Sequence, residues 1–152
     1  MKKKIIRIAI IYVLLIAVVL VIVLKNGGEK VEVCKQRTDI EILQKWFPNL
    51  EGIESAVWEA EVLGADSNGV PGPGTYEARG FIYLIDEKAE EYLNGYEWEE
   101  KKPQLSGSAI DISAYQEMKW YYSRDFEKEV KPDYYVGNMF LSGDVVWFEV
   151  CK

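Results

Sequence analysis

The sequence predicts an α+β domain with a mainly antiparallel sheet and two or three short helices, carried behind an N-terminal transmembrane helix. Three observations lead there. Residues Ile5 to Leu24 form a run of 20 that is apolar except for Arg7 and Tyr12. Beyond it, stretches of two-residue alternation and stretches of helical spacing follow one another in mixed order. Tight hairpin signals such as Gly143-Asp144 join the alternating stretches, and no regular βαβ unit or internal repeat is visible.

The apolar run is long enough to span a bilayer, since about 20 residues at roughly 1.5 Å rise cover roughly 30 Å. A helix is required there because lipid offers no partner for backbone N–H and C=O groups. Arg7 lies within a turn of the start, where its stem reaches back to the headgroups. Tyr12 is deeper than the usual interfacial belt. Cleaved signal peptides have apolar regions of about 7 to 15 residues and a small-x-small site. Here Val21 to Lys25 holds no such site, and Val31, Glu32 and Val33 before Cys34 are unlike a lipoprotein processing site. An uncleaved signal-anchor is therefore expected.

Charge sets the expected orientation. Lys2, Lys3, Lys4 and Arg7 precede or open the run, whereas Lys25 and Lys30 beyond it are offset by Glu29 and Glu32. The expectation is a single-pass protein of the cell membrane. Residues 1–4 form a cytoplasmic tail, 5–24 the transmembrane helix, 25–33 a tether opened by Asn26-Gly27-Gly28, and 34–152 an extracytoplasmic α+β domain.

The whole chain has net charge −7, but residues 29–152 hold 13 basic and 25 acidic side chains and stand at −12. Such a field repels nucleic acid and anionic headgroups. With no histidine, imidazole-based nucleophile systems and His-ligated metals are excluded, and two cysteines are too few for a four-thiolate zinc or an iron–sulfur centre. No cofactor and no enzymatic activity are expected. In an oxidising compartment Cys34 and Cys151 can close a large loop, stabilising by roughly 2 to 4 kcal/mol. Two thiols, or a bond to another chain, are the alternatives.

Along the domain, Thr38 reads as a helix N-cap, with Ile40, Leu43 and Phe47 at helical spacing and Pro48 as the stop, a helix of about ten residues. Ile53 to Leu63 alternates as a strand, with Ala56, Trp58, Ala60 and Val62 on one face. Residues 65–74 hold glycines and prolines and read as a loop, and Thr75 to Ile85 returns as the second strand of a hairpin. Asp86 caps a helix to about Tyr96 with Ala89, Tyr92, Leu93 and Tyr96 on its apolar side. Residues 97–107 read as loop. Ser113 with Gln116 has the form of a capping box, but the aromatics at Trp120, Tyr121 and Tyr122 favour a strand at about 117–122. A short helix from Ser123 to Val130 ends before Pro132, and Tyr134–Leu141 with Val145–Val150 form a closing hairpin.

Candidate chemistry is sparse. Glu87, Glu90, Glu91, Glu97, Glu99 and Glu100 offer carboxylates for calcium or for glycosidase-type catalysis, yet a linear run guarantees neither separation nor split pKa values. Asp66, Asn68 and Gly69 resemble part of a calcium loop without its distal glutamate, and Val70 to Gly74 lacks the Gly-Lys-Ser/Thr ending of a phosphate loop. Of the 20 aromatic residues, 19 lie beyond the anchor, and most are expected in the core. Tyr76, Tyr134 and Tyr135 lie beside loops and are the candidates for an exposed binding face.

Val70-Pro71-Gly72-Pro73, Tyr76, Gly80-Phe81 and Tyr96-Glu97-Trp98 together resemble small uncharacterised, membrane-anchored or lipoprotein-like domains of Gram-positive bacteria, over about 60 residues from 46 to 100. Gly74 stands where those domains would place a polar residue, and there is no lipobox. The resemblance implies a bacterial cell envelope and carries no activity. The expected role is an envelope binding or interaction module, an accessory or self-protection factor whose partners are the bilayer through Ile5 to Leu24 and an envelope protein or glycan. A carboxylate-dependent hydrolase of wall polymer is the alternative from another class, and a structural envelope subunit a third.

Overall fold

The computed structural model describes residues 35–63 and 75–151, which belong to one compact unit spanning Cys34–Lys152. The expected membrane span Ile5–Leu24, the tether, Cys34 and the loop at 65–74 lie outside the described residues. Among those described, no helix is long and apolar enough to cross a membrane.

Among the described residues the fold is α+β, with three α-helices and a six-stranded antiparallel sheet. In chain order the elements are α1 (Ile40–Trp46), β1 (Ile53–Leu63), β2 (Thr75–Leu84), α2 (Asp86–Gly95), β3 (Glu99–Glu100), a 3-10 turn (Ser113–Tyr115), β4 (Tyr121–Tyr122), α3 (Arg124–Val130), β5 (Val136–Ser142) and β6 (Val145–Cys151). The sheet order is β1-β2-β6-β5-β4-β3. The closing hairpin thus slots its last strand against β2, and the chain's centre hangs from the far edge.

Alternation along the strands gives the sheet two different faces. On the first, Trp58 of β1 pairs with Gly80 of β2, Gly80 with Phe148 of β6, and Phe148 with Met139 of β5. This row packs under the three helices together with Leu43, Phe47, Tyr92 and Phe126 in the main core. Gly80 is required in it, because a Cβ there would run into Cβ and Cα of Trp58 and the Val57 carbonyl on the neighbouring strand. Trp46 meets Trp58 edge-on at 5.3 Å and Phe47 meets Phe148 at 5.4 Å. Gly137, at φ 135°, lets β5 approach Glu149 and Val150 of β6 more closely than any side chain allows.

On the second face, Val57, Phe81, Trp147 and Phe140 form one cross-strand row. A smaller core covers them, built by Ile110 and Trp120 with Leu105, Ile112, Tyr115 and Met118. Both halves of the sheet's apolar area are therefore covered, by helices on one side and by an irregular segment on the other.

Several boundaries differ from expectation. Asp39, not Thr38, is the N-cap of α1, and its carboxylate is engaged by Arg37 at 2.9 Å instead of capping the helix. α1 has seven residues rather than about ten, because the chain leaves helical geometry at Phe47, ahead of Pro48. Asp86 is the first helical residue of α2, after the N-cap Ile85. The expected strand at 117–122 shrinks to Tyr121–Tyr122. Met118 and Trp120 instead turn onto the second face, where the Trp120 indole N–H donates to the Tyr115 carbonyl at 3.1 Å. The capping box at Ser113 yields only the 3-10 turn, and the expected loop at 97–107 contributes the edge strand β3, paired with β4. By contrast, Ser123 caps α3 with its hydroxyl, accepting from the Phe126 N–H at 3.4 Å. The β5–β6 turn is Gly143-Asp144, with Gly143 at φ 59° as the first turn residue.

Candidate functional site

Beyond the Val57–Phe81–Trp147–Phe140 row the second face changes character. The next row is Glu59, Arg79, Glu149 and Asn138, and the one after it Glu61, Glu77, Cys151 and Val136. The apolar half is covered. The polar half carries four carboxylates around one guanidinium, with Asn138 exposed and Val136 73% exposed at its rim.

Arg79 is the hub. Its Nε donates to Glu59 Oε1 at 2.8 Å, while its terminal nitrogens lie 3.4 Å from Glu61, 3.5 Å from Glu77 and 4.0 Å from Glu149. One positive charge cannot neutralise four negative ones, so the patch remains acidic. Glu59 is the deepest member, only 1% exposed. It accepts from the Ser108 N–H at 3.0 Å, the Ala109 N–H at 2.6 Å and the Ser108 hydroxyl at 3.3 Å. Burial opposes its ionisation, but the Ala109 and Ser108 N–H groups and Arg79 outweigh it and hold the carboxyl below its ordinary range. Glu59 is therefore a bound carboxylate at neutral pH, fully occupied by its neighbours.

Cys151 is half-buried in this patch with a free thiol, and the pairing expected with Cys34 lies outside the described residues. Burial, with Glu77 and Glu149 beside it, pushes the thiol pKa up. The protonated thiol that results is a poor nucleophile.

The three expected tyrosines lie near this end of the sheet, and Tyr134 and Tyr135 stand in different environments. Tyr135 is buried against Trp46 and Phe47, so its ring belongs to the core. Tyr134 is 57% exposed and touches Tyr135 at 4.7 Å between centroids. Tyr76 precedes Glu77 on β2, next to the register Glu77–Cys151–Val136, which places its backbone at the same end as β5 begins.

The expected glutamates do not converge. Glu87, Glu90 and Glu91 are exposed on α2, Glu97 follows it, and Glu99 and Glu100 form the exposed edge strand. Glu91 lines a shallow groove of about 460 Å³ with Glu51, Glu129, Asn49 and Tyr96. There Lys88 lies 2.7 Å from Glu51 and 2.8 Å from Glu91, and burial together with Glu129 pushes Tyr96 up to about 12. Glu97 and Glu99 line a second groove of about 570 Å³ with Trp98, Lys101, Tyr122 and Arg124. Both rings in it are already engaged: Lys101 covers the Tyr122 ring at 4.5 Å, and Trp98 packs on Phe126 and donates to the Tyr92 carbonyl. Among the described residues no group of three or more Cys, Asp or Glu is arranged to hold a metal.

Sequence reasoning passed over Glu59, Arg79 and Glu149. A signal existed for the first two, since Arg79 is the one cation on the second strand and a symmetric hairpin places it opposite Glu59. Glu149 enters only because β6 inserts beside β2. Comparisons of the chain with protein-family models, with curated proteins and with solved structures find no match.

Proposed function

We propose that this protein is a single-pass membrane protein whose extracytoplasmic domain captures a basic envelope protein through the open acidic half of its second sheet face. The single observation that carries this reading is the split of that face. One half is packed away under residues 105–120, while the other leaves Glu61, Glu149, Asn138 and Val136 to solvent around an over-subscribed Arg79. Charge complementarity favours a lysine- or arginine-rich protein segment, and the charge of −12 over residues 29–152 disfavours nucleic acid. A glycan is disfavoured at the Trp98–Tyr122 groove, because Lys101 already lies over the Tyr122 ring and Trp98 packs on Phe126. The apolar run Ile5–Leu24, the basic residues before it and the resemblance to anchored Gram-positive domains support the envelope setting.

The test is co-purification of the full chain from detergent-solubilised membranes, against a Glu61→Lys/Asn138→Lys double variant. Both positions are exposed, so the fold tolerates the change while the patch loses its sign. Loss of a discrete basic partner from the variant supports the reading; an unchanged partner set overturns it. Turnover of wall fragments abolished by substitution among Glu87 to Glu100 would instead support the hydrolase.

A further inference from the structure

Residues 101–120 form a stretch of twenty with one 3-10 turn and no strand. Irregular segments of this length inside a compact domain are uncommon and tend to be functional. Its two ends are held differently. From Ile112 onward, Tyr115 stacks on Phe81 at 3.9 Å and shares a 2.5 Å hydrogen bond with the Tyr83 hydroxyl, and Trp120 is buried. Before it, residues 102–111 make no backbone–backbone hydrogen bond with any described residue. Their polar attachments to the sheet all go to one row: Ser108 and Ala109 to Glu59, and Ser106 to Arg79 at 3.3 Å and to Glu149 at 3.4 Å.

We propose that Glu59 is a latch and that residues 104–111 are a strap, which it holds over the apolar row of the second face and which opens while the sheet stays folded. The strap's Leu105 and Ile110 pack in the smaller core, so opening uncovers that part of the core for contact. The strap is also what buries the latch. When it lifts, the Glu59 carboxylate and the Ser108 and Ala109 N–H groups all regain water, so no buried group is left unpaired and opening is cheaper than unfolding.

Hydrogen exchange followed by mass spectrometry on the full chain in detergent tests it, comparing the wild type with Glu59→Gln. The amide keeps the shape but has a single acceptor oxygen, so its NH₂ must face either Arg79 or the Ala109 N–H. Within residues 104–111 the Ser108 and Ala109 amides, which Glu59 holds, should exchange about 10- to 100-fold faster, with β2 and β6 unchanged. Ala109→Pro, which deletes the 2.6 Å donor from the strap and leaves the sheet untouched, should do the same if Glu59→Gln fails to fold. Unaltered exchange in 104–111, or acceleration shared equally by β2 and β6, overturns the proposal.

Discussion

Glu59 and Arg79 stand directly opposite each other on β1 and β2, with the guanidinium Nε 2.8 Å from a carboxylate that is almost wholly buried. Their pairing joins the two halves of the second face, since Glu59 reaches the covering segment and Arg79 reaches the open carboxylates. Removing Arg79 leaves the buried Glu59 carboxylate with only the Ser108 and Ala109 donors to offset its desolvation. Arg79→Ala should cost about 3 kcal/mol, and Glu59→Gln combined with Arg79→Met should recover part of it. Urea denaturation followed by tryptophan fluorescence measures this, and additive costs would show that the two residues are not coupled.

Glycine substitutions should separate into three grades. Gly80→Ala and Gly137→Ala drive a methyl into Trp58 and into the Glu149 backbone, and each should cost about 2 to 4 kcal/mol. Gly143→Ala meets no neighbour but must hold φ 59°, a cost of about 1 kcal/mol. Gly95→Ala, at the end of α2 with open space and no positive φ, should be stabilising by about 0.5 kcal/mol. Thermal melts of the four variants check the order.

Stability should fall at both ends of the pH scale. Glu59 and Asp39 are held below their ordinary values, Glu59 by the N–H groups and Arg79 that outweigh its burial, and Asp39 chiefly by its hydrogen bond from Arg37. Their contribution is present above the ordinary carboxylate range and is lost as pH falls through the lowered values. Cys151 is raised from 9.0 and Tyr83 from 10.0, both chiefly by burial. That contribution is present below about 9 and is lost as pH climbs through the raised values. Urea midpoints should be flat between, and a midpoint still rising below pH 4 would contradict the assignment of Glu59.

The Cys151 thiol, where unpaired, should alkylate more slowly than a cysteine in an unstructured peptide at neutral pH. Glu77→Gln should quicken it by about two- to threefold, because that carboxylate helps to suppress the thiolate. Timed iodoacetamide labelling gives the rates. Equal rates in the wild type and the variant would remove Glu77 as a cause.

Membrane topology has a direct assay. A tag after Lys152 should be shaved by protease added to intact cells, while one before Met1 should be protected. The reverse pattern would overturn the orientation.

Local chemistry in the sequence was sufficient for the capped helix after Ser123 and the Gly143-Asp144 turn, each decided by neighbours within a few residues, and for the Ile53–Leu84 hairpin, whose two alternating strands adjoin in sequence across one loop. The α+β class followed from the same periodicities. Tertiary structure alone decided that β6 lies between β2 and β5, and hence that Glu149 joins Glu59 and Arg79 in one row. It also decided that Trp120 covers a sheet face rather than extending a strand, and that Tyr135 is core while Tyr134 is not. These are contacts between residues tens of positions apart. Their energies depend on which surfaces meet after the chain closes, and the aromatic and acidic residues of this sequence suit several such meetings equally well until the packing selects one.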